Sequence, residues 1–288
     1  MVYNFTAYAD IGVEVKKGKQ MKSRRVLYQP EDQKICKELL TTTRWHKGGK
    51  ISINDLLIQV GKYFTGRPYV ANALEIEGEE VLVVNLRQFD CFTFLENVIA
   101  LARLIEAGKN AFSDYTSQLE KIRYREGRLK GYASRLHYFS DWLFDNREKG
   151  IVRDITAEIG GKPYTKDICF MTRHTGEYPA LKDDAIFRDI FAAEQRISGQ
   201  TGYLIPKAEF EKAEPEIESG NLIGIATKIE GLDFTHVGFA VWVEKHIHLL
   251  HASREEQTVV VSNKTLGDYL DGQESISGVV VAQVRSIV

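Results

Sequence analysis

Residues 91–106 of this chain read CFTFLENVIALARLIE, and the apolar positions in that stretch constrain the fold more than any other feature. Phe94, Leu95, Val98, Leu101, Ala102 and Ile105 recur every three or four residues, the spacing that lines one face of an α-helix. Ile99 and Leu104 carry the apolar cover nearly all the way round. A surface helix keeps one polar face, so this pattern describes a helix enclosed at the centre of a domain. Alanine and leucine favour the helix, Gly108 supplies a stop, and Asp90 is a good N-cap. Cys91 then falls in the helix's first turn.

The elements around that helix define the class. Helices are expected over EDQKICKELL, with Ile35, Leu39 and Leu40 at helical spacing and Cys36 beside them in the core, and over SINDLLIQVGKYF, where Ser52 and Asp55 form a capping arrangement. TGRPYVANALE is expected to make a turn and a strand, and EVLVVNLRQ a further strand. After Gly220 the runs NLIGIATKI, HVGFAVWV, HIHLLHAS, QTVVVSN and SGVVVAQVR are short strands separated by polar or turn residues. Helices followed by an antiparallel sheet give an α+β fold. Residues from about 110 to 220 show no repeat and no linker composition. They read as a mainly helical insertion in a single domain spanning 1–288, between an N-terminal helical part (about 1–60) and a C-terminal β part (about 221–288). Within the insertion, AEFEKAEPEIESG reads as a solvated helix and loop, and Cys169 as a buried strand residue.

Composition narrows the function classes. The 288 residues are 43% hydrophobic and 27% charged, ordinary for a soluble globular enzyme that folds without disulfides or metals. With 38 basic against 40 acidic residues, the formal charge of −2 gives no electrostatic reason to expect nucleic acid or a membrane surface as partner. Three cysteines are too few and too scattered for a disulfide framework or a zinc cluster. The opening MVYNFTAYADIGVEVKKGKQ lacks the charged flank and apolar stretch of a signal peptide, and no run has the length of a membrane-spanning helix.

Cys91 has two readings. Free cysteine is among the most buried residue types, so it can be a core filler. At a helix start, however, unpaired backbone N–H groups and the positive end of the dipole favour a thiolate, and hence a nucleophile. A thiolate needs a base and a group to orient that base. Four of the seven histidines lie in THVGFAVWVEKHIHLLHAS. If two strands join by a two-residue turn at Glu244–Lys245, Val243 pairs with His246 and His236 falls opposite Ser253. Alternation then puts His251 on the face of His236, as its diagonal neighbour, and His246 and His248 on the other face. Gly238 and Ala240 on the His236 face would leave room for a helix N-terminus to approach. The competing reading of the pair is two half-buried sheet histidines bonded to backbone. His246 and His248 could instead begin a metal site, but that face offers no third ligand.

GRPY, DCFTF at a helix start, THVGFAV on one strand and LLHAS on the next resemble the NlpC-type cell-wall peptidases, papain-like cysteine amidohydrolases of bacterial peptidoglycan. GRPYVANALE and YREGRLKGYASRLHYFSDWLFDN are similar to the branch described as N-acetylmuramoyl-L-alanine amidase-like. The resemblance runs from about residue 50 to the C-terminus. It implies an α+β, papain-like fold with the central helix packed on the antiparallel sheet. It also implies Cys91 as nucleophile, His236 as general base and His251 as orienting group, with no cofactor or metal. Tyr69 would reach the site beside the nucleophile as oxyanion support, and Asp90 would support it as the helix cap. Within SRLHYFSDW, Arg135, His137, Tyr138 and Asp141 offer a cation, aromatic faces and a carboxylate suited to a stem peptide or muropeptide. The alternative for that stretch is a solvated amphipathic helix with Tyr138 and Trp142 on its buried side. The implied bond is the N-acetylmuramoyl-L-alanine amide. The γ-D-glutamyl-diamino acid bond, or binding of wall fragments without cleavage, are the alternatives. Family members are exported, which implies the periplasm or beyond.

Overall fold

The computed structural model describes residues 26–42 and 51–287. The opening stretch read above for a leader lies outside the described residues. The N-terminal part contains β1 (Val26–Leu27), α1 (Pro30–Thr41), α2 (Ile53–Tyr63), β2 (Leu82–Val83) and the central helix α3 (Cys91–Glu106). The middle contains α4 (Phe112–Arg123), α5 (Phe139–Glu148), β3 (Val152–Asp154), β4 (Lys162–Tyr164), α6 (Phe170–Arg173), α7 (Asp184–Ser198), β5 (Gly202–Pro206) and α8 (Phe210–Ala213). The C-terminal part contains β6 (Leu222–Thr227), β7 (Phe234–Val243), β8 (His246–Ser253), β9 (Thr258–Thr265), α9 (Leu266–Asp271) and β10 (Ile276–Val284).

The main sheet is antiparallel, in the order β4-β5-β10-β6-β7-β8-β9, with β3 also paired to β10. The five C-terminal strands form where alternation and turn residues placed them. The middle segment is not only helical, because β3, β4 and β5 extend this same sheet. Two upstream strands are shorter than expected. Pro68 and Tyr69 make single bridges, to Thr258 and Phe89, and proline has no N–H to continue a ladder. Only Leu82–Val83 of the β-branched run is a strand, pairing in parallel with β1. Beyond it, the buried carboxylate of Asp32 on α1 accepts the Leu86 N–H at 2.8 Å and pairs with Arg87 at 3.1 Å. A side chain there takes the backbone bond that a neighbouring strand would have supplied.

The sheet separates two cores. On one face α3 packs with α1, α2 and α4 against Val237, Phe239, Val241, Leu250 and Ala252. On the other face Ala240, Ile247 and Leu249 meet α8 and α9 through Phe210, Ala213, Leu266 and Leu270. Phe210, Ala213 and Ile217 are therefore buried, where a solvated segment was expected. From Thr93 to Ile105 every residue of α3 is buried, polar ones included. Glu96 is held by Arg123 at 2.6 Å, which also donates to the Val83 carbonyl at 2.6 Å. Such a charge is tolerated inside because its partner is buried with it. A third, smaller core belongs to the middle segment: Tyr132, Tyr138, Ile168, Met171, Leu181, Ile190 and Ile197.

Candidate active site

Asp90 caps α3 from both directions. Its carboxylate accepts the Thr93 N–H at 2.7 Å, and its own N–H donates to the Thr93 hydroxyl at 3.0 Å. Cys91 is thereby fixed as the first residue of the helix, half-buried, beside a cavity of about 140 Å³. Backbone N–H groups of Val237, Cys91 and Phe92 converge on its sulfur. The expectation of a standing thiolate does not hold in the free protein. Burial pushes the thiol up to about 12, the Asp90 charge pushes the same way, and the three N–H donors pull against both without prevailing.

The histidine pair arises from the predicted hairpin. Pairing runs from Val243–His246 to Phe239–Leu250, the anticipated register, and Glu244 takes the left-handed turn position (φ 54°). The regular ladder stops before His236 and Ser253 would pair, and there the two imidazoles meet. His236 Nε2 lies 2.5 Å from His251 Nδ1, with ring centroids 4.7 Å apart and planes at 83°. Burial lowers His236 to about 3, His251 adding to the effect, and burial alone lowers His251 to about 4. At neutral pH both rings are uncharged. For His236 to accept a proton at Nδ1, its Nε2–H must donate to His251 Nδ1. The His251 proton then sits on Nε2, a buried atom without a hydrogen-bond partner.

One part of the expected geometry is corrected. Gly238 and Ala240 do not receive the helix. A Cβ on Gly238 would lie 2.9 Å from both the Leu249 side chain and the Leu250 carbonyl, and Ala240 belongs to the core on the opposite face. The helix packs instead on the Val237–Phe239 face, with Phe94 and Phe239 in edge contact at 6.0 Å, and Cys91 reaches the end of β7 through the Val237 N–H. A bulge makes this possible. Ile225 pairs with His236 and Ala226 with Phe234, leaving Thr235 unpaired. Phe234, Thr235, His236 and Val237 all border the cavity as a result.

The facing wall comes from the middle segment: His137, Tyr138, Phe139, Met171 and Tyr178, with Leu232 and Asp233 from the loop before β7. Of the four residues expected to bind substrate, two are here. His137 Nε2 contacts the Tyr132 carbonyl at 3.0 Å, so that nitrogen carries the proton and Nδ1 is left as an acceptor. Burial, then Arg135, holds His137 well below the usual imidazole range. Tyr138 is buried; its hydroxyl donates to Glu194 at 2.7 Å and accepts the Met171 N–H at 2.9 Å. Arg135 and Asp141 are committed elsewhere. Arg135 pairs with Glu75 at 2.5 Å and Glu80 at 3.4 Å, and lies over the Tyr132 ring. Asp141 takes both nitrogens of Arg125, at 2.7 and 2.6 Å. Neither borders the cavity. Tyr69 is bridged to Phe89, two residues before Cys91, since Phe89 donates to the Pro68 carbonyl and Val70 to the Phe89 carbonyl, but Tyr69 does not line the cavity.

Asp233, which sequence reasoning missed, accepts from the Ser140 N–H (2.8 Å) and hydroxyl (2.5 Å) and from the Phe234 N–H (2.7 Å). Its place three residues before His236 was the available signal. Met171 and Tyr178 had none. His246 and His248 lie away from this site, near Glu214 and bonded to the Ser262 carbonyl.

The comparisons place this fold in an amidase-like class of hydrolase. The match to the AmiA-like model, described as N-acetylmuramoyl-L-alanine amidase-like, spans residues 59–278, and the chain belongs to that family. A Bacteroides uniformis protein named as an N-acetylmuramoyl-L-alanine amidase is 32% identical, covering 81% of this chain and 99% of its own, with a TM-score of 0.77. A Bacteroides fragilis protein named as a candidate xylanase is 33% identical, covering 78% of this chain and 99% of its own, with a TM-score of 0.75. A Legionella pneumophila protein at 23% identity shares the fold over 88% of this chain and 93% of its own, with a TM-score of 0.62. No curated protein matches the chain significantly.

Proposed function

We propose that this chain is a papain-like, NlpC-type cysteine amidohydrolase that cleaves the amide between N-acetylmuramic acid and L-alanine, in peptidoglycan or in muropeptides. The observation that carries the proposal is the meeting of Cys91 and His236 on one cavity, with His236 bonded behind to His251. Cys91 attacks the amide carbonyl as its proton passes to His236, so charge develops on sulfur only as the bond forms. The N–H groups now around the sulfur are suited to stabilise the charge that develops, including the oxyanion of the tetrahedral intermediate. His236 then protonates the departing L-alanine nitrogen, breaking the C–N bond, and afterwards activates water to hydrolyse the thioester. His251 holds the imidazole in the reactive tautomer. This chemistry needs no metal or organic cofactor.

The cavity favours one amide over the other. No Lys or Arg is among its lining residues, both histidines there are uncharged, and the one carboxylate, Asp233, is buried. A γ-D-glutamyl substrate would bring a free carboxylate close to the scissile carbonyl with no cation to meet it. The lactyl–alanine amide presents uncharged methyl groups on both sides, which suit Phe92, Phe139, Met171 and Phe234. The name of the Bacteroides uniformis relative supports the same bond. Glycoside cleavage, suggested by the name of the Bacteroides fragilis relative, would call for two carboxylates flanking the bond, and this cavity has one. Since the polymer lies outside the cytoplasm, the proposal also puts the protein in the periplasm or otherwise exported.

The test is digestion of purified muropeptides with products read by mass spectrometry. The proposal expects a free stem peptide beginning with L-alanine from wild type and none from Cys91→Ala. A disaccharide-dipeptide would move the specificity to the γ-D-glutamyl bond, and equal cleavage by the variant would remove Cys91 from the chemistry.

A further inference from the structure

We propose that Tyr269 is a positioning residue for His236: its ring, carried on α9, closes the side of the imidazole that His251 leaves open. This rests on reading Cys91 and His236 as the reacting pair. Three placements support it. Tyr269 and His236 have ring centroids 6.3 Å apart with planes at 32°, within the range of aromatic contact. Leu266 and Leu270 root α9 in the core on the side of the sheet away from α3, and Tyr269 packs against that core. The ring is therefore fixed by its own helix and does not depend on the nucleophile's helix. The Tyr269 hydroxyl is bonded by Gln273, and a charge on Cys91 is near enough to act on it.

His236 is thus held by two rings, His251 nearly perpendicular to it at its Nε2 edge and Tyr269 inclined over it. The ionisable groups facing the imidazole are His251 from β8, Tyr269 from α9, and, on the cavity, Cys91 of α3, His137 and Asp233; beyond them, Asp90 at the α3 cap acts on Cys91 and Glu255 in the β8–β9 turn on Tyr269. Tyr269 is the one that reaches it from the second core. Its ring excludes water from the imidazole and stops it turning away from His251. The hydroxyl's part is minor, because Gln273 already occupies it.

The test follows alkylation of Cys91 by iodoacetamide across pH, read by peptide mass, with kcat and KM on a muropeptide, in wild type, Tyr269→Ala, Tyr269→Leu, Tyr269→Phe and His236→Ala. In Tyr269→Ala the acid limb of kcat/KM, set by protonation of His236, moves from about 3 toward the 6.5 of a free imidazole. Its kcat falls about tenfold while KM stays within about twofold. Tyr269→Leu shows the same trend with retained apolar bulk, and Tyr269→Phe restores the wild-type profile. Wild-type pH profiles in both the Ala and Leu variants, even with a lower melting temperature, would overturn the inference while leaving the dyad intact. Equal losses in Phe and Ala would also overturn it, by placing the effect in the hydroxyl. A His236→Ala profile identical to wild type would instead remove the reacting pair, and the inference with it.

Discussion

The two walls of the cavity are built differently. The wall bearing Cys91 and His236 is made of long elements, α3 and β7, rooted in the large core, with β8 bringing His251 from behind. The wall bearing His137, Tyr138 and Met171 belongs to the middle segment and has its own small core. On the first wall the polar groups point at one another and at the cavity. On the second most are spent internally: Tyr138 on Glu194, Asp233 on Ser140, and, behind them, Arg135 on Glu75 and Glu80. On the proposed function the reaction belongs to a rigid frame, and recognition to shape together with the His137 Nδ1 acceptor.

Substitutions can break that division. The largest effect is expected on the first wall. Cys91→Ala and His236→Ala should each lower kcat/KM by roughly 10³-fold or more while circular dichroism and melting stay near wild type, because on the proposed function they remove the nucleophile and base from a frame that stands without them. On the second wall, Arg135→Ala should act on stability. It removes the cation between Glu75 and the largely buried Glu80 side chain, leaving Glu80 the Tyr124 hydroxyl alone as close partner, so unfolding in denaturant should come earlier by about 3 kcal/mol. A raised KM without loss of stability would restore Arg135 as a ligand group. Smaller still, His137→Phe keeps the apolar wall and removes the acceptor. KM should rise about tenfold with kcat within about threefold, measured by steady-state hydrolysis.

The same comparison extends to the pH dependence of stability. His236 and His251 have folded pKa values of about 3 and 4 against 6.5 when free, so the unfolded chain binds more protons below 6.5, and stability falls as pH drops from there toward 3. Cys91 and the buried Cys36 stand at about 12 against 9.0, so the unfolded chain loses protons first and stability falls as pH rises from 9 toward 12. Denaturation midpoints should therefore form a plateau between about 6.5 and 9. In Cys91→Ala the alkaline fall should shrink, and in His236→Ala the acid fall.

How legible each wall was follows from its construction. The helix cap at Asp90, the three-to-four-residue spacing of α3 and the hairpin register at Val243–His246 are local signals, and together they anticipated where Cys91, His236 and His251 lie. The side of the sheet that α3 packs on was misjudged. Small residues at 238 and 240 looked like space for a helix, but Leu249 and a strand carbonyl fill the room beside Gly238. The second wall was half legible. Aromatic and charged residues in SRLHYFSDW marked a dense region, but only long-range partners, Glu75 for Arg135 and Arg125 for Asp141, decide which of them are free. Tyr269 and Met171 come to the site through tertiary packing, which no local periodicity encodes.

The central claim, a sulfur nucleophile facing an uncharged recognition wall, is tested most directly by rapid quenching of the protein with muropeptide and measuring the intact mass. The account predicts a transient adduct on the peptide containing Cys91, with the mass of an N-acetylmuramoyl acyl group, absent from Cys91→Ala. Turnover that proceeds in Cys91→Ala, with no adduct on wild type at any quench time, would contradict it.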